Sequence, residues 1–160
     1  MRTSLIVTFV GSDKPGLVQQ IASVISAQDG NWLESRMTQL GGKFAGIVRV
    51  SVDSTQCDAL NESLFALSND SLTIFTESGE ADSTEPRPQR LKLQVLGPDR
   101  PGIIYEVSYA LAELSINVID MYSNAFPASM TGEYMFEAEA TAECAADLIE
   151  AHLGETLDAL

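Results

Sequence analysis

Two short turn motifs contain the residues with the clearest chemical potential. The first is Gly11-Ser12-Asp13-Lys14-Pro15-Gly16, and the second is Gly97-Pro98-Asp99-Arg100-Pro101-Gly102. Each lies between an apolar segment and a segment of helical periodicity. Such a turn presents unpaired N–H groups and the positive end of a helix dipole to a small anion. On the residues alone, a turn that only begins a helix is favoured, and a carboxylate-binding turn is the alternative.

Two residue types in each motif explain this expectation. The aspartates are expected to cap the following helix, and the last glycines leave the first-turn amides unshielded by a β-carbon. The capping positions are Asp13 and Asp99, and the glycines are Gly16 and Gly102.

An asparagine follows each predicted helix, Asn31 in the first half and Asn117 in the second. We expect the strand that begins there to return near the same end of the sheet as the turn. An amide side chain offers both a donor and an acceptor, so it could hold an ammonium or hydroxyl group beside a bound carboxylate. Turn and asparagine together predict an amino-acid site.

A cysteine and a histidine are the candidate nucleophile and base. Cys144 and His152 are eight residues apart in a predicted helix, about 12 Å of rise, which is too far for a hydrogen-bonded dyad. Both Cys57 and Cys144 fall in predicted second helices, where a free cysteine usually packs as a small apolar side chain. With no phosphate loop or strand-end nucleophile recognised, we expect no enzymatic activity.

Three glutamates of the second half could be interpreted as a metal site. Glu133, Glu137 and Glu139 share one face at strand spacing, while Tyr134, Phe136 and Ala138 take the other. That alternation is typical of a half-buried sheet with a solvated face. We therefore predict neither a metal nor another cofactor.

The charge balance limits the class of partner. The chain has 160 residues, with 9 Lys and Arg against 23 Asp and Glu, for a net charge of −14. Such a charge opposes binding to nucleic acid or to an anionic membrane, which leaves a small molecule or a protein. No apolar run approaches the roughly 20 residues of a membrane span, and the N-terminus is interpreted as a strand instead of a signal peptide. We expect a cytoplasmic protein.

The turn motif recurs because the chain is duplicated. The two motifs are 86 residues apart, and the same offset relates Asn31 to Asn117 and Gly46 to Gly132 with no gap. Between the copies, residues 78–89 contain two prolines and one apolar residue, an alanine, which indicates a linker. The predicted organisation is a first domain over 1–77, a linker over 78–89 and a second domain over 90–160.

Hydrophobic periodicity predicts the order βαββαβ in each copy. The first copy is expected to have strand Ser4–Val10, a helix from Pro15 that Gly30 ends, strands Trp32–Leu40 and Phe44–Asp53 joined by Gly41-Gly42, a helix capped by Thr55, and strand Leu72–Thr76. The second is expected to have strand Leu91–Leu96, helix Pro101–Leu114, strands Asn117–Ala125 and Glu133–Ala140, helix Ala142–Leu153, and a weak strand in Glu155–Leu160.

Several stretches resemble the ACT domain, a regulatory module that binds amino acids. The segment from Gly97 to Ile104, with Ile116-Asn117-Val118 after the helix, resembles the opening of such a domain. Residues 31–37 and 40–46 resemble the first ACT domain of the glycine cleavage system transcriptional repressor family. The resemblance covers nearly the whole chain outside the linker.

The resemblance implies a fold and a role. The fold is α+β, two tandem ferredoxin-like βαββαβ domains with antiparallel sheets and helices on one face. The role is allosteric sensing of a small amino acid (glycine, serine or threonine) by a homodimeric transcriptional regulator that acts on a protein partner and not on DNA. The alternative is an orphan subunit that controls a metabolic enzyme.

The resemblance also implies ligand-binding residues near the turns, between ACT domains. Those carried over are Asp13, Lys14, Gly16 and Asn31 in the first copy, and Asp99, Arg100, Gly102, Asn117 and Asp120 in the second. Lys14 stands where the family usually has arginine, which weakens any bidentate carboxylate contact there.

Overall fold

The computed structural model describes residues 1–80 and 87–145. The chain divides into two compact units, Met1–Thr84 and Glu85–Leu160. In the part of the chain that is described, no helix is long and apolar enough to cross a membrane.

Each unit begins with the same strand, helix, strand, strand order. The first unit consists of β1 (Arg2–Ser12), α1 (Leu17–Ala27), β2 (Asn31–Leu40), β3 (Lys43–Asp53), α2 (Cys57–Ala66) and β4 (Leu72–Ser78). The described part of the second consists of β5 (Gln89–Pro98), α3 (Ile103–Glu113), β6 (Asn117–Pro127) and β7 (Tyr134–Cys144). The predicted α+β class with tandem ferredoxin-like units is confirmed.

Both sheets are antiparallel. The first has the order β2-β3-β1-β4, and the second has the order β5-β7-β6. Because β1 and β2 both pair antiparallel with β3, β1 and β2 run in the same direction. This direction decides which residues can meet at the turn.

Alternating side chains of the strands form the core of the first unit. Leu5, Val7 and Phe9 of β1 are buried on one face, and they pack in one cluster with Ile21 of α1 and Leu64 of α2. Alternate residues of the strands and the apolar faces of α1 and α2 therefore pack against each other in one core. The helices cover that face of the sheet.

The second unit is built in the same way over its described residues. Its core joins Leu91 of β5, Val107 and Leu111 of α3, and Ala142 and Cys144 of β7. The buried face of β7 consists of one aromatic residue followed by small ones: Phe136, Ala138, Ala140, Ala142 and Cys144.

The helices begin and end alike in the two units. The N-caps Gly16 and Gly102 have φ of 89° and 90°, a conformation that favours glycine. After each helix a left-handed residue turns the chain, Asp29 at φ 54° and Ser115 at φ 55°. We predicted that Gly30 ends the first helix, but α1 ends three residues earlier, at Ala27.

The prediction that the offset of 86 residues continues without a gap is wrong beyond the second strand of each unit. Gly11 pairs with Phe44 and Gly97 pairs with Phe136, so the equivalent residues are now 92 apart (136 − 44 = 92). The second hairpin is longer by 92 − 86 = 6 residues. Gly132, at φ 71° in the loop before β7, is therefore not the counterpart of Gly46 in β3.

One irregularity is copied in both units. The register shifts between Trp32 and Glu34 where β2 meets β3, and between Val118 and Asp120 where β6 meets β7. The extra residues are Leu33 and Ile119, which are again 86 apart (119 − 33 = 86). Each bulge lies near the start of its strand, before the hairpins diverge.

Two details of the first unit test the turn predictions. Gly41 and Gly42 join β2 to β3 at φ 58° and 76°, as a tight hairpin needs, so that turn is confirmed. Thr55 does not cap α2, whose N-cap is Gln56. Instead, the backbone N–H and hydroxyl of Thr55 donate to the Asp53 carboxylate at 3.0 and 2.8 Å.

The predicted bounds of the linker and of the last helix differ from the structure. Residues Ser78 and Gln89 belong to β4 and β5 and not to the linker, of which residues 81–86 lie outside the described ranges. The helix predicted to begin at Ala142 is wrong there, because β7 continues to Cys144 through alternating buried residues. The rest of that helix and the Glu155–Leu160 segment lie outside the described residues.

Candidate functional site

The hairpin holds the turn after the first strand in both units. The Asp13 N–H donates to the Gly42 carbonyl at 3.0 Å, and the Asp99 N–H donates to the Tyr134 carbonyl at 2.9 Å. Tyr134 is the counterpart of Gly42 at the 92-residue offset. The same backbone bond therefore fixes the turn despite the different hairpin lengths.

The two aspartates do not cap the helices. Among the described residues, no side-chain hydrogen bond caps α1 or α3, because left-handed Gly16 and Gly102 lie between the aspartates and the helical residues. The Asp13 carboxylate instead accepts a hydrogen bond from Gln39 Nε2 at 2.9 Å. The prediction that these aspartates cap the helices is therefore wrong. Within the described residues, no side-chain cap accepts from the first-turn amides of α1 and α3.

A cavity of about 140 Å³ adjoins the first turn. Lys14 and Gln20 line it from the turn and α1, and Asn69 and Ser71 line it from the segment before β4. The Ser12 N–H donates to the Ser71 carbonyl at 2.9 Å, which fixes the two walls against each other. This volume has room for several water molecules, which is the scale of a small polar ligand.

Lys14 is a cation available at this cavity. It is exposed, and among residues 1–80 and 87–145 it forms no ion pair. An ammonium beside uncapped helix amides is a suitable environment for a carboxylate.

A larger cavity, about 350 Å³, adjoins the second turn. Its walls include Gly97, Arg100, Ile103 and Glu106. The Arg100 guanidinium donates from Nη1 to Glu106 Oε1 at 3.0 Å and from Nη2 to Oε2. Hydrogen bonding to the guanidinium lowers the pKa of Glu106, and the same bond raises the pKa of Arg100.

The asparagines lie at the opposite end of the sheet from the turns. Asn31 pairs with Ser51, whereas Leu40 at the other end of β2 pairs with Lys43, beside Ser12. The 10 residues of β2 separate the two ends by about 30 Å. The expected return to the turn is wrong, because α1 carries the chain back before β2 begins.

The second unit repeats this separation. Asn117 pairs with Glu143, whose partner on β5 is Arg90, near the start of that strand. The Asp99–Gly102 turn follows the far end of β5, so it is equally distant from Asn117.

Asp120 lies in another part of the second unit. It is opposite Thr141 on the face of the sheet that α3 does not cover, where a cavity of about 500 Å³ is also lined by Lys92, Tyr122 and Glu139. The structure does not bring Asp120 to the turn. Glu137 and Glu139 share that face, and in the described residues no group of three or more His, Cys, Asp and Glu is placed to hold a metal.

Several residues that line the turn cavities were not identified from the sequence, among them Gln20, Glu106, Asn69 and Ser71. Gln20 and Glu106 lie in the first turns of α1 and α3 at the 86-residue offset, which was a signal available from the repeat. Asn69 and Ser71 come from the segment before β4, and only the β1–β4 pairing brings them to the turn.

Comparison with known proteins agrees with this architecture. Residues 3–75 match the family model of the ACT domain. Over 158 residues the chain is 27% identical to the glycine cleavage system transcriptional repressor of Escherichia coli strain K12, covering 98% of this chain and 83% of that protein. It is 25% identical over 114 residues to an ACT domain-containing protein of Arabidopsis thaliana, where it spans 67% of this chain and 25% of the plant protein.

Two solved structures share the fold over almost the whole chain. A protein of unknown function from Galdieria sulphuraria has a TM-score of 0.82 at 26% identity, with 99% of this chain and 91% of that chain covered. A protein assigned as a glycine cleavage system transcriptional repressor has a TM-score of 0.70 at 18% identity, with 99% and 90% covered.

The first unit matches the ACT-domain model over residues 3–75, and the second unit repeats its first strand, helix and hairpin. The chain therefore resembles tandem ACT-domain proteins. Among named proteins it resembles the glycine cleavage system transcriptional repressor.

Proposed function

We propose that this chain is an amino-acid-sensing regulatory protein that does not act as an enzyme. A small amino acid (glycine, serine or threonine) binds by its carboxylate at the turn after β1 or β5. The observation that carries the proposal is the pair of glycine-initiated, uncapped helices, with φ of 89° and 90°, each beside a cavity.

The contacts at the first turn follow from its geometry. The amides after Gly16 and the ammonium of Lys14 receive the carboxylate, and Asp13 holds the turn in place. In the second unit Asp99, Arg100 and Gly102 have the corresponding positions. Asn31 and Asn117 are about 30 Å from the turn of their own unit, so they can reach only a ligand that is bound at the turn of another unit. A homodimer supplies further units.

The response passes to a protein partner and not to DNA. The net charge of −14 disfavours contact with nucleic acid, and the E. coli relative is named a transcriptional repressor. Ligand binding that differs between two conformations shifts their populations, and the altered surface is what the partner recognises. We propose a cytoplasmic location and control of glycine metabolism.

A metabolic enzyme as the partner is the second candidate. The observation in its favour is an apolar outer face on α3, where Ile104, Tyr105 and Tyr109 are 38%, 70% and 56% exposed. An exposed aromatic face of this kind is suited to a protein contact. Co-purification with an enzyme, in place of a transcription factor, would distinguish this candidate.

The sensing proposal is tested by thermal unfolding with each of the twenty amino acids. A ligand at 100 times its Kd stabilises the folded state by roughly 2.7 kcal/mol. Lys14→Ala is expected to weaken the response, and Asn31→Ala tests the contact with a ligand bound at the turn of another unit. Asn124→Ala, another exposed strand asparagine, is the matched control and leaves the response unchanged. Melting temperatures that no amino acid alters would refute sensing.

A further inference from the structure

The cation of the second turn already binds a carboxylate of its own chain. Two nitrogens of the Arg100 guanidinium donate to the two oxygens of Glu106, which is the bidentate geometry that a ligand carboxylate would use. Both residues line the 350 Å³ cavity, and their side chains are 45% and 39% exposed. The pair is therefore part of the cavity wall and accessible to solvent.

The first turn has a different pair at the equivalent positions. At the 86-residue offset, Lys14 corresponds to Arg100 and Gln20 corresponds to Glu106. Both Lys14 and Gln20 line the first cavity. A neutral amide cannot form an ion pair with the ammonium of Lys14. The first turn, with Asp13 and Lys14, is therefore neutral overall, whereas the second, with Asp99, Arg100 and Glu106, has one excess negative charge.

We infer that Glu106 is an internal competitor for carboxylate ligands at the Asp99–Gly102 turn. The residue at this position, Gln20 in the first unit and Glu106 in the second, sets the ligand affinity of its turn. The inference rests on the proposed function. A ligand must displace Glu106 from Arg100. The apparent Kd therefore equals the intrinsic Kd divided by the fraction of molecules in which Arg100 is not paired with Glu106. Because exposed ion pairs are weak, the expected penalty is several-fold and not a complete loss.

The test exchanges these residues in the full chain, with glycine as the probe. Backbone amide resonances of Gly16 and Gly102 report the two turns separately in a ¹⁵N-labelled sample. Glu106→Gln is expected to lower the half-saturating glycine concentration at the second turn by about five-fold, the upper range for an exposed pair. Gln20→Glu is expected to raise it at the first turn by a similar factor.

Glu113→Gln is the matched control. Glu113 lies at the last position of α3, so this variant makes the same change in net charge on the same helix, away from the cavity. It is expected to leave both half-saturating concentrations unchanged. An effect as large as that of Glu106→Gln would show that only overall charge matters and would overturn the inference.

Two further outcomes separate the inference from the proposed function. If glycine shifts the Gly16 resonance but Glu106→Gln leaves the response of the second turn unchanged, the competitor role is refuted and amino-acid binding stands. If glycine, serine and threonine move neither resonance in the wild-type chain or in either exchange variant, both fail.

Discussion

Replacement of Gly102 by alanine tests the backbone geometry on which the proposed site depends. Gly102 begins α3 at φ 90°, and a β-carbon built there has no neighbouring atom within 4 Å. A steric clash with the rest of the fold therefore does not contribute. The whole cost of the substitution is the cost of holding an L-residue in a left-handed conformation.

The magnitude follows from two opposing effects. The left-handed conformation costs an L-residue about 1–2 kcal/mol, while exchange of glycine for alanine restricts the unfolded chain and returns about 0.4–1 kcal/mol. The net loss in the free energy of unfolding is about 1 kcal/mol. Gly16→Ala is expected to cost the same, because its φ is 89° and the nearest atom, Gln19 Oε1, is 3.9 Å away.

Urea unfolding of the full chain measures this loss. With a denaturant dependence of about 1–3 kcal/mol per molar, the midpoint of the unit that carries the substitution falls by roughly 0.5 M. Gly102→Asn is the control and costs less, since asparagine enters the left-handed region more readily. An alanine variant as stable as wild type, or an asparagine variant less stable than alanine, would refute the assigned geometry.

Three further predictions concern the first unit. Leu64→Ala removes a fully buried side chain and should lower the free energy of unfolding by about 2–5 kcal/mol; a loss under 1 kcal/mol by urea unfolding would contradict the core assignment. Gly46→Ala brings a β-carbon within 2.8 Å of Phe9 and should cost about 1–3 kcal/mol through overpacking, by the same assay. The N–H and hydroxyl of Thr55 lower the pKa of Asp53 to about 2 from 3.8, so the stability that this carboxylate contributes is present above pH 3.8 and is lost as the pH falls towards 2. Thr55→Val should raise that pKa in an NMR titration, and an unchanged pKa would exclude the hydroxyl as a cause.

Local residue types were enough to predict the elements around the turns. Proline and glycine after β1 indicated a helix start, Gly41-Gly42 indicated a tight hairpin, and hydrophobic periodicity indicated α2. These signals operate over a few residues, so they do not depend on the rest of the fold. For the same reason the motif comparison with the ACT domain identified the fold correctly.

Contacts between segments that are distant in the chain could not be predicted from local residue patterns. Asn31 was placed at the wrong end of the sheet because the direction of β2 depends on the pairing with β3. Cys144 was placed in a helix because small residues at the end of β7 satisfy either periodicity. The Arg100–Glu106 ion pair depends on how the turn folds back over α3, which residue spacing alone does not determine.

The bulges at Leu33 and Ile119 limit how a further strand could extend either sheet. Each lies on an outer strand, β2 or β6, where an unpaired row of backbone groups would otherwise invite aggregation. An extra residue interrupts the regular spacing of those groups. An incoming strand can therefore pair regularly with the residues that follow the bulge, but it must end or kink at the bulge itself. An unlimited stack of such chains is therefore disfavoured, and a short, closed association is permitted.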